Sequence, residues 1–168
     1  MSKSTFRDFL KRKQINISVQ TYLIDALGAM AFGLFASLLI GTIFATLGDK
    51  THIEIFTTIS TYAKSATGAA LGVSIAYALK APTLVLFSAA TVGIAGNELG
   101  GPVGALVATI IATELGKLVS KETPVDILVT PGITITSGVL ASQFVGPGVS
   151  AFMTAFGNLV KTATVMQP

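Results

Sequence analysis

Gly93-Ile94-Ala95-Gly96-Asn97-Glu98-Leu99-Gly100-Gly101-Pro102 is echoed by Gly138-Val139-Leu140-Ala141-Ser142-Gln143-Phe144-Val145-Gly146-Pro147, and both stretches lie in a region that is otherwise almost wholly apolar. Pro82, Gly93 and Gly101-Pro102 recur as Pro124, Gly138 and Gly146-Pro147 at similar spacing. Gly and Pro interrupt backbone hydrogen bonding, and inside a bilayer no water replaces the lost bonds. Such breaks are tolerated there only where protein or a polar cavity covers the freed groups. Two broken apolar hairpins therefore predict a binding or transport site within a membrane.

Composition leads the same way. The chain is 51% hydrophobic and 11% charged, where soluble domains carry about 25% charged residues. Its mean hydropathy is +0.75. The absence of cysteine excludes disulfides, thiolate zinc sites and iron–sulfur clusters. The net charge of +3 is no sign of nucleic acid, because Lys3, Arg7, Lys11, Arg12 and Lys13 are gathered before the first apolar segment. That segment, from about Val19 to Leu47, is too long for a signal peptide, whose apolar core is about 7–15 residues. It suits a tilted crossing of about 20 residues.

An all-α polytopic bundle of about six spans follows, with short or broken helices and two repeated hairpins. The spans are Val19 to Leu47, Ile53 to Leu79, Pro82 to Gly96, Pro102 to Val119, Val125 to Val145, and Gly148 to about Val165. Residues 1–18 form a basic segment on the cytoplasmic side and residues 19–166 the transmembrane domain. On this path Lys80, Lys117, Lys121 and Lys161 join the N-terminal cluster on one side and only Lys50 faces the other, the bias of the positive-inside rule. The protein is expected in a cell membrane, multi-pass, with a cytoplasmic N-terminus. Phe6, Phe9, Leu10 and Ile15 fall on one helical face among Arg7, Lys11, Arg12 and Lys13, so the N-terminal segment either lies on an anionic leaflet or serves only as a topogenic charge cluster.

Two places depart from plain helix. Pro82 to Gly96 is about 22 Å long at 1.5 Å per residue, short enough for a re-entrant hairpin. In Thr130-Pro131-Gly132-Ile133-Thr134-Ile135-Thr136, a Pro-Gly break precedes stiff β-branched residues, which predicts an unwound segment at membrane depth.

Polar groups inside apolar segments are the candidates for solute binding, since they are expensive there. Glu98 stands four residues before Pro102 and Gln143 four before Pro147, with Asn97 and Ser142 beside them. These pairs either converge on a polar solute or are ordinary turns. Thr134 and Thr136 line the expected unwound stretch. Lys64 lies near the middle of the second segment, paired with Glu98 or Asp25 or wetted at an interface. Asp25 lies about two turns into the first segment, and Glu114 is expected at the interface near Lys117 and Lys121. His52, the sole histidine, offers no metal site with scattered carboxylates. No phosphate-binding glycine loop and no serine nucleophile elbow occurs, so no catalytic residue, metal or cofactor is assigned and an enzyme is not expected. Gly68-Ala69-Ala70-Leu71-Gly72 is a small-residue face for close helix approach.

Asn97 through Ala105, Thr130 through Ile135, and Gly146-Pro147-Gly148 together resemble the EIIC-like membrane family of the bacterial phosphotransferase system, and the resemblance spans nearly the whole chain. It implies a sugar-permease-like transporter of a bacterial cell membrane. Family members are typically about twice this length, so the chain resembles an N-terminal half. In the glucose-type permeases a Gly-Ile-Thr-Glu-Pro stretch supplies a sugar-binding Glu. Gly132-Ile133-Thr134 matches, but Ile135 and Thr136 stand where Glu and Pro would be. With no cysteine-bearing IIB motif and no IIA-like domain, coupling to phosphorylation requires separate phosphotransferase subunits. The expected partners are the lipid bilayer, a small polar solute of the sugar type, and either a second copy of the chain or a missing C-terminal half. The alternative is a non-transporting membrane regulator or lipid-handling protein that keeps the fold.

Overall fold

The computed structural model describes residues 3–166, which form six helices and, among the described residues, no strand. They are α1 (Lys3–Arg12), α2 (Gln20–Thr51), α3 (Glu54–Ser65), α4 (Thr67–Ala78), α5 (Thr83–Val119) and α6 (Asp126–Met166). Three of them, α2, α5 and α6, are long and apolar enough to cross a membrane.

At the start of α2 the Ser18 hydroxyl accepts the Thr21 amide at 3.1 Å, the usual way a serine satisfies an unpaired amide of a first helical turn. The helix includes two π-helical stretches, Gln20–Asp25 and Phe35–Leu39. It stops at His52, which takes a left-handed conformation and donates its amide to Gly48 at 2.8 Å. The chain then runs back along α2. A Cβ placed on Gly48, Gly41 or Gly33 would press on Thr57, Lys64 or Ala70 respectively. The contacts advance in step, so α3 and α4 together form the antiparallel partner of α2.

Helix α4 turns its Gly68 and Gly72 toward α5. A Cβ on Gly93 would lie 2.6 Å from the Gly72 Cα, so these two backbones touch without intervening side chains. In lipid there is no hydrophobic drive between helices, and this intimate packing replaces it.

Helix α5 is two arms. Gly101 is non-helical, at φ 62° and ψ −163°, a region open essentially only to glycine. The chain reverses there: a Cβ on Gly96 would stand 2.7 Å from the Ala105 Cα, whereas nine residues of straight helix would hold them about 13 Å apart. Pro102 opens the second arm, where its missing amide has no helical partner to lose. Helix α6 then packs against both arms, with Gly138 against Val92 of the first and Ala112 of the second and with Gly146 against Leu99 of the first.

The second expected hairpin does not form. Gly146-Pro147 lies inside α6 with no positive φ. Gly146 is occupied in seating the helix against Leu99 and Gly100, and Pro147 gives up a single backbone bond on an exposed face. The sixth span is therefore the outward continuation of the fifth and not a return, and Lys161 is carried to the end opposite α1. The stretch around Thr134 is helical too. Pro131, in the second turn of α6, gives up one backbone bond without ending the helix, and the Thr134 hydroxyl bonds back to the Thr130 carbonyl at 2.7 Å, an outlet for threonine in a helix.

Polarity is inverted relative to a soluble protein. Phe32, Phe87 and Phe144 are exposed while Thr109, Thr113, Thr130, Thr134, Ser142 and Lys117 are buried. Large apolar side chains outside and small or hydroxylated ones between helices are what a lipid solvent selects. The residues Ala151 to Thr164 are exposed throughout.

Candidate functional site

The residues singled out from the sequence are dispersed. Leu99 and Gly146 meet, so the Asn97-Glu98 and Ser142-Gln143 regions share one end of the bundle. Glu98 and Gln143 are nevertheless exposed and Asn97 is half-buried. Ser142 is buried and its hydroxyl donates to Gly138 at 2.9 Å. Thr134 is likewise buried and bonded to backbone, whereas Thr136 is exposed on a shallow apolar groove with Ile133 and Leu140. Lys64 is exposed and makes no ion pair among the described residues. It faces Gly41, sixteen positions along α2 from Asp25, or about 24 Å. Asp25 is exposed, accepts from Gln20 Nε2 at 3.3 Å, and lines a cavity with Lys11 and Lys80.

The buried chemistry lies elsewhere, on the second arm of α5. Lys117 is 1% exposed, yet its ammonium is well satisfied: Nζ donates to the Leu79 carbonyl at 2.9 Å and the Gln14 carbonyl at 3.2 Å. It thereby neutralises the carbonyl ends of α4 and of the segment after α1. Glu114, one turn earlier, brings Oε1 to 2.9 Å from that Nζ, close enough for an ion pair but not aligned as a hydrogen bond. The hydroxyls of Thr109 and Thr113 are buried without a hydrogen-bond partner among the described residues, while the Glu114 carboxylate has the Lys117 ammonium and the Tyr22 phenol beside it. Buried polar atoms are nearly always paired, and an intramembrane acid is costly unless it serves a ligand or a partner. Two buried, unpaired hydroxyls thus follow Lys117 from the α1 end into the bundle.

Sequence reasoning placed Glu114 and Lys117 at an interface and gave no role to Thr109 or Thr113. The available signal was the recurrence of Thr109, Thr113 and Lys117 every fourth residue, which places them on one helical face.

Above this row is a cavity of about 520 Å³ lined by Arg12, Lys13, Gln14, Lys80, Ala81, Pro82, Lys117, Ser120, Lys121 and Glu122. It is formed where α1, α4, both ends of α5 and the start of α6 converge. Glu122 pairs with Lys13 at 2.6 Å and with Arg12 at 3.1 Å. The Lys13 hydrogen bond, reinforced by the charges of Lys13 and Arg12, holds the Glu122 carboxyl below its ordinary value of 4.5. Lys13 also donates to the Ser120 carbonyl. These contacts fasten α1 to the connection between α5 and α6.

A helical bundle with large apolar side chains outside and buried polar groups between its helices has the build of an integral membrane protein. The chain matches the family "Phosphotransferase system, EIIC" over residues 24–168 and belongs to it. Neither the curated proteins nor the solved structures provide a match. Family membership makes the chain a membrane component of a phosphotransferase system and not a conventional catalyst.

Proposed function

We propose that the protein translocates a small polar solute of the sugar class, and that Thr109, Thr113 and Glu114 meet that solute within the membrane. The observation that carries this reading is the pair of buried Thr109 and Thr113 hydroxyls left without hydrogen-bond partners beside the Glu114–Lys117 ion pair. A sugar offers hydroxyl groups that donate and accept, which is what a carboxylate and two threonine hydroxyls can complete. Lys117 holds the Glu114 carboxylate in place, with Nζ 2.9 Å from Oε1. Asn97, Glu98 and Gln143 lie at the far end of the bundle and are assigned to the other mouth of the path.

On this reading the N-terminus is cytoplasmic, because the basic residues gather at the α1 end, and phosphorylation is supplied by separate subunits. A second copy or a second block of helices supplies the facing wall that repeat-built transporters place opposite a substrate.

Uptake of a panel of labelled sugars into vesicles carrying the reconstituted chain tests it. Glu114→Gln, which keeps the shape and removes the charge, is expected to lower flux at least about ten-fold, the loss of one charged hydrogen bond of about 1.5–3 kcal/mol. Wild-type flux in Glu114→Gln combined with Thr113→Val sinks the assignment. Solute binding without any flux would instead identify a membrane regulator.

A further inference from the structure

The cavity at the α1 end holds more positive charge than the fold uses. Of its five cations, Arg12, Lys13 and Lys117 are engaged by Glu122, by Glu114 or by backbone carbonyls. The ammonium groups of Lys80 and Lys121 have no hydrogen-bond or ion-pair partner among the described residues.

The backbone adds an independent sign. Four described residues other than glycine have positive φ, and Gln14, Lys80 and Lys121 (φ 55°, 56° and 62°) all line this one cavity. Lys80 closes α4 by donating its amide to Tyr77 at 2.9 Å while Ala81 donates to Ala76 at 3.0 Å. That is the helix ending in which the left-handed position is ordinarily glycine. Glycine would sit at Lys80 and Lys121 without strain, and a strained residue at a site is a sign of function when the site has a use for its side chain.

The rim says what is bound. Val125, Ile127 and Leu128, which follow the lining residues Lys121 and Glu122 in the chain, and Val19, which follows Gln14, are all more than half exposed. A soluble anion gains nothing from an apolar rim. A phospholipid uses both parts, its phosphate between the cations and its acyl chains along Ile127 and Leu128. We propose that this cavity is a binding site for the phosphate of an anionic membrane lipid, with Lys80 and Lys121 as its paired cations. The site lies at the α1 mouth of the proposed path and shares Lys117 with it, but Lys80 and Lys121 take no part in the solute contacts, so the lipid test reads independently of sugar transport.

The test uses the purified full chain in detergent, titrated with phosphatidylglycerol, with phosphatidylcholine as the lipid of no net charge and with inorganic phosphate as the free anion. Bound lipid is counted by native mass spectrometry. Wild type is expected to prefer phosphatidylglycerol, and Lys80→Gly with Lys121→Gly is expected to reduce that preference roughly ten- to thirty-fold. The same double variant should melt no lower than wild type in lipid-free detergent, since left-handed strain is released. Should it melt lower, Lys80→Gln with Lys121→Gln, which leaves the backbone preference unrelieved, must still lose the lipid preference. Lys50→Ala, at the opposite end, must keep it. No preference in wild type, or an undiminished one in the charge-neutral variants, overturns the proposal. Displacement of phosphatidylglycerol by millimolar inorganic phosphate overturns the lipid source and assigns the site to a soluble phosphate compound.

Discussion

Gly101-Pro102 and Gly146-Pro147 are one dipeptide met twice, each preceded by a polar pair and each flanked by glycine. At the first, the chain turns back on itself at φ 62°, and a Cβ on Gly101 would meet nothing within 4 Å. At the second, α6 continues, and a Cβ on Gly146 would stand 2.8 Å from the Leu99 Cβ. The first glycine is needed for its backbone freedom and the second for its missing side chain. Gly-Pro in an apolar segment is therefore not a turn signal by itself. What decides is whether a neighbouring helix occupies the space beside the glycine.

The largest break in this comparison is expected from Gly146→Leu. Overpacking a tight contact costs typically 1–3 kcal/mol, and here the obstructing atoms belong to the Leu99 main chain as well as its side chain, so a loss of about 3 kcal/mol is expected in reversible unfolding in mixed detergent. An unchanged unfolding midpoint would mean that α6 does not rest on the α5 turn. Gly101→Ala should come next. It has room for a methyl group but forces an L-residue into a region nearly closed to it, for a loss of about 2 kcal/mol. If Gly101→Ala proved neutral while Gly146→Leu did not, the turn would have an alternative geometry available to any residue. The smallest effect belongs to Pro102. Pro102→Ala, at the first position of an arm where the missing amide has no helical partner, should shift global stability by no more than about 0.5 kcal/mol. Pro147→Ala alone should slow amide exchange over the residues that follow it, because it restores a helical hydrogen bond.

The same contrast explains what the sequence could disclose. The helical class, the basic end and the reversal at Gly101-Pro102 were legible, since length, charge and local backbone chemistry carry them. The fate of Gly146 was not, because it depends on Leu99 and Gly100, a whole helix earlier in the chain. Thr130 to Thr136 reads as extended by side-chain preference, yet it is helical: the Thr134 hydroxyl returns to the Thr130 carbonyl, the Thr130 hydroxyl donates to the Asp126 carboxylate, and Gly116 of α5 packs against Thr134. Lys117 stands close to a segment end, which in sequence means an interface. It is buried because the end of α4 and the turn at Gln14 close over it.

The order of packing has a consequence for assembly. Counting α3 with α4 as one arm and α5 as two, each arm from α2 to α6 lies against the one made just before it, joined by short connections, so contacts form as the chain emerges and loop closure is inexpensive. Helix α1 is the exception: Arg12 reaches Glu122 across 110 positions, and nothing can hold that contact until the connection between α5 and α6 exists. Helix α1 must wait for an anchor that lies 110 positions later, so the state of α1 distinguishes a chain whose α5–α6 connection is in place from one that has not reached it. Protease resistance near Arg12, followed during synthesis, would report the moment at which the chain closes.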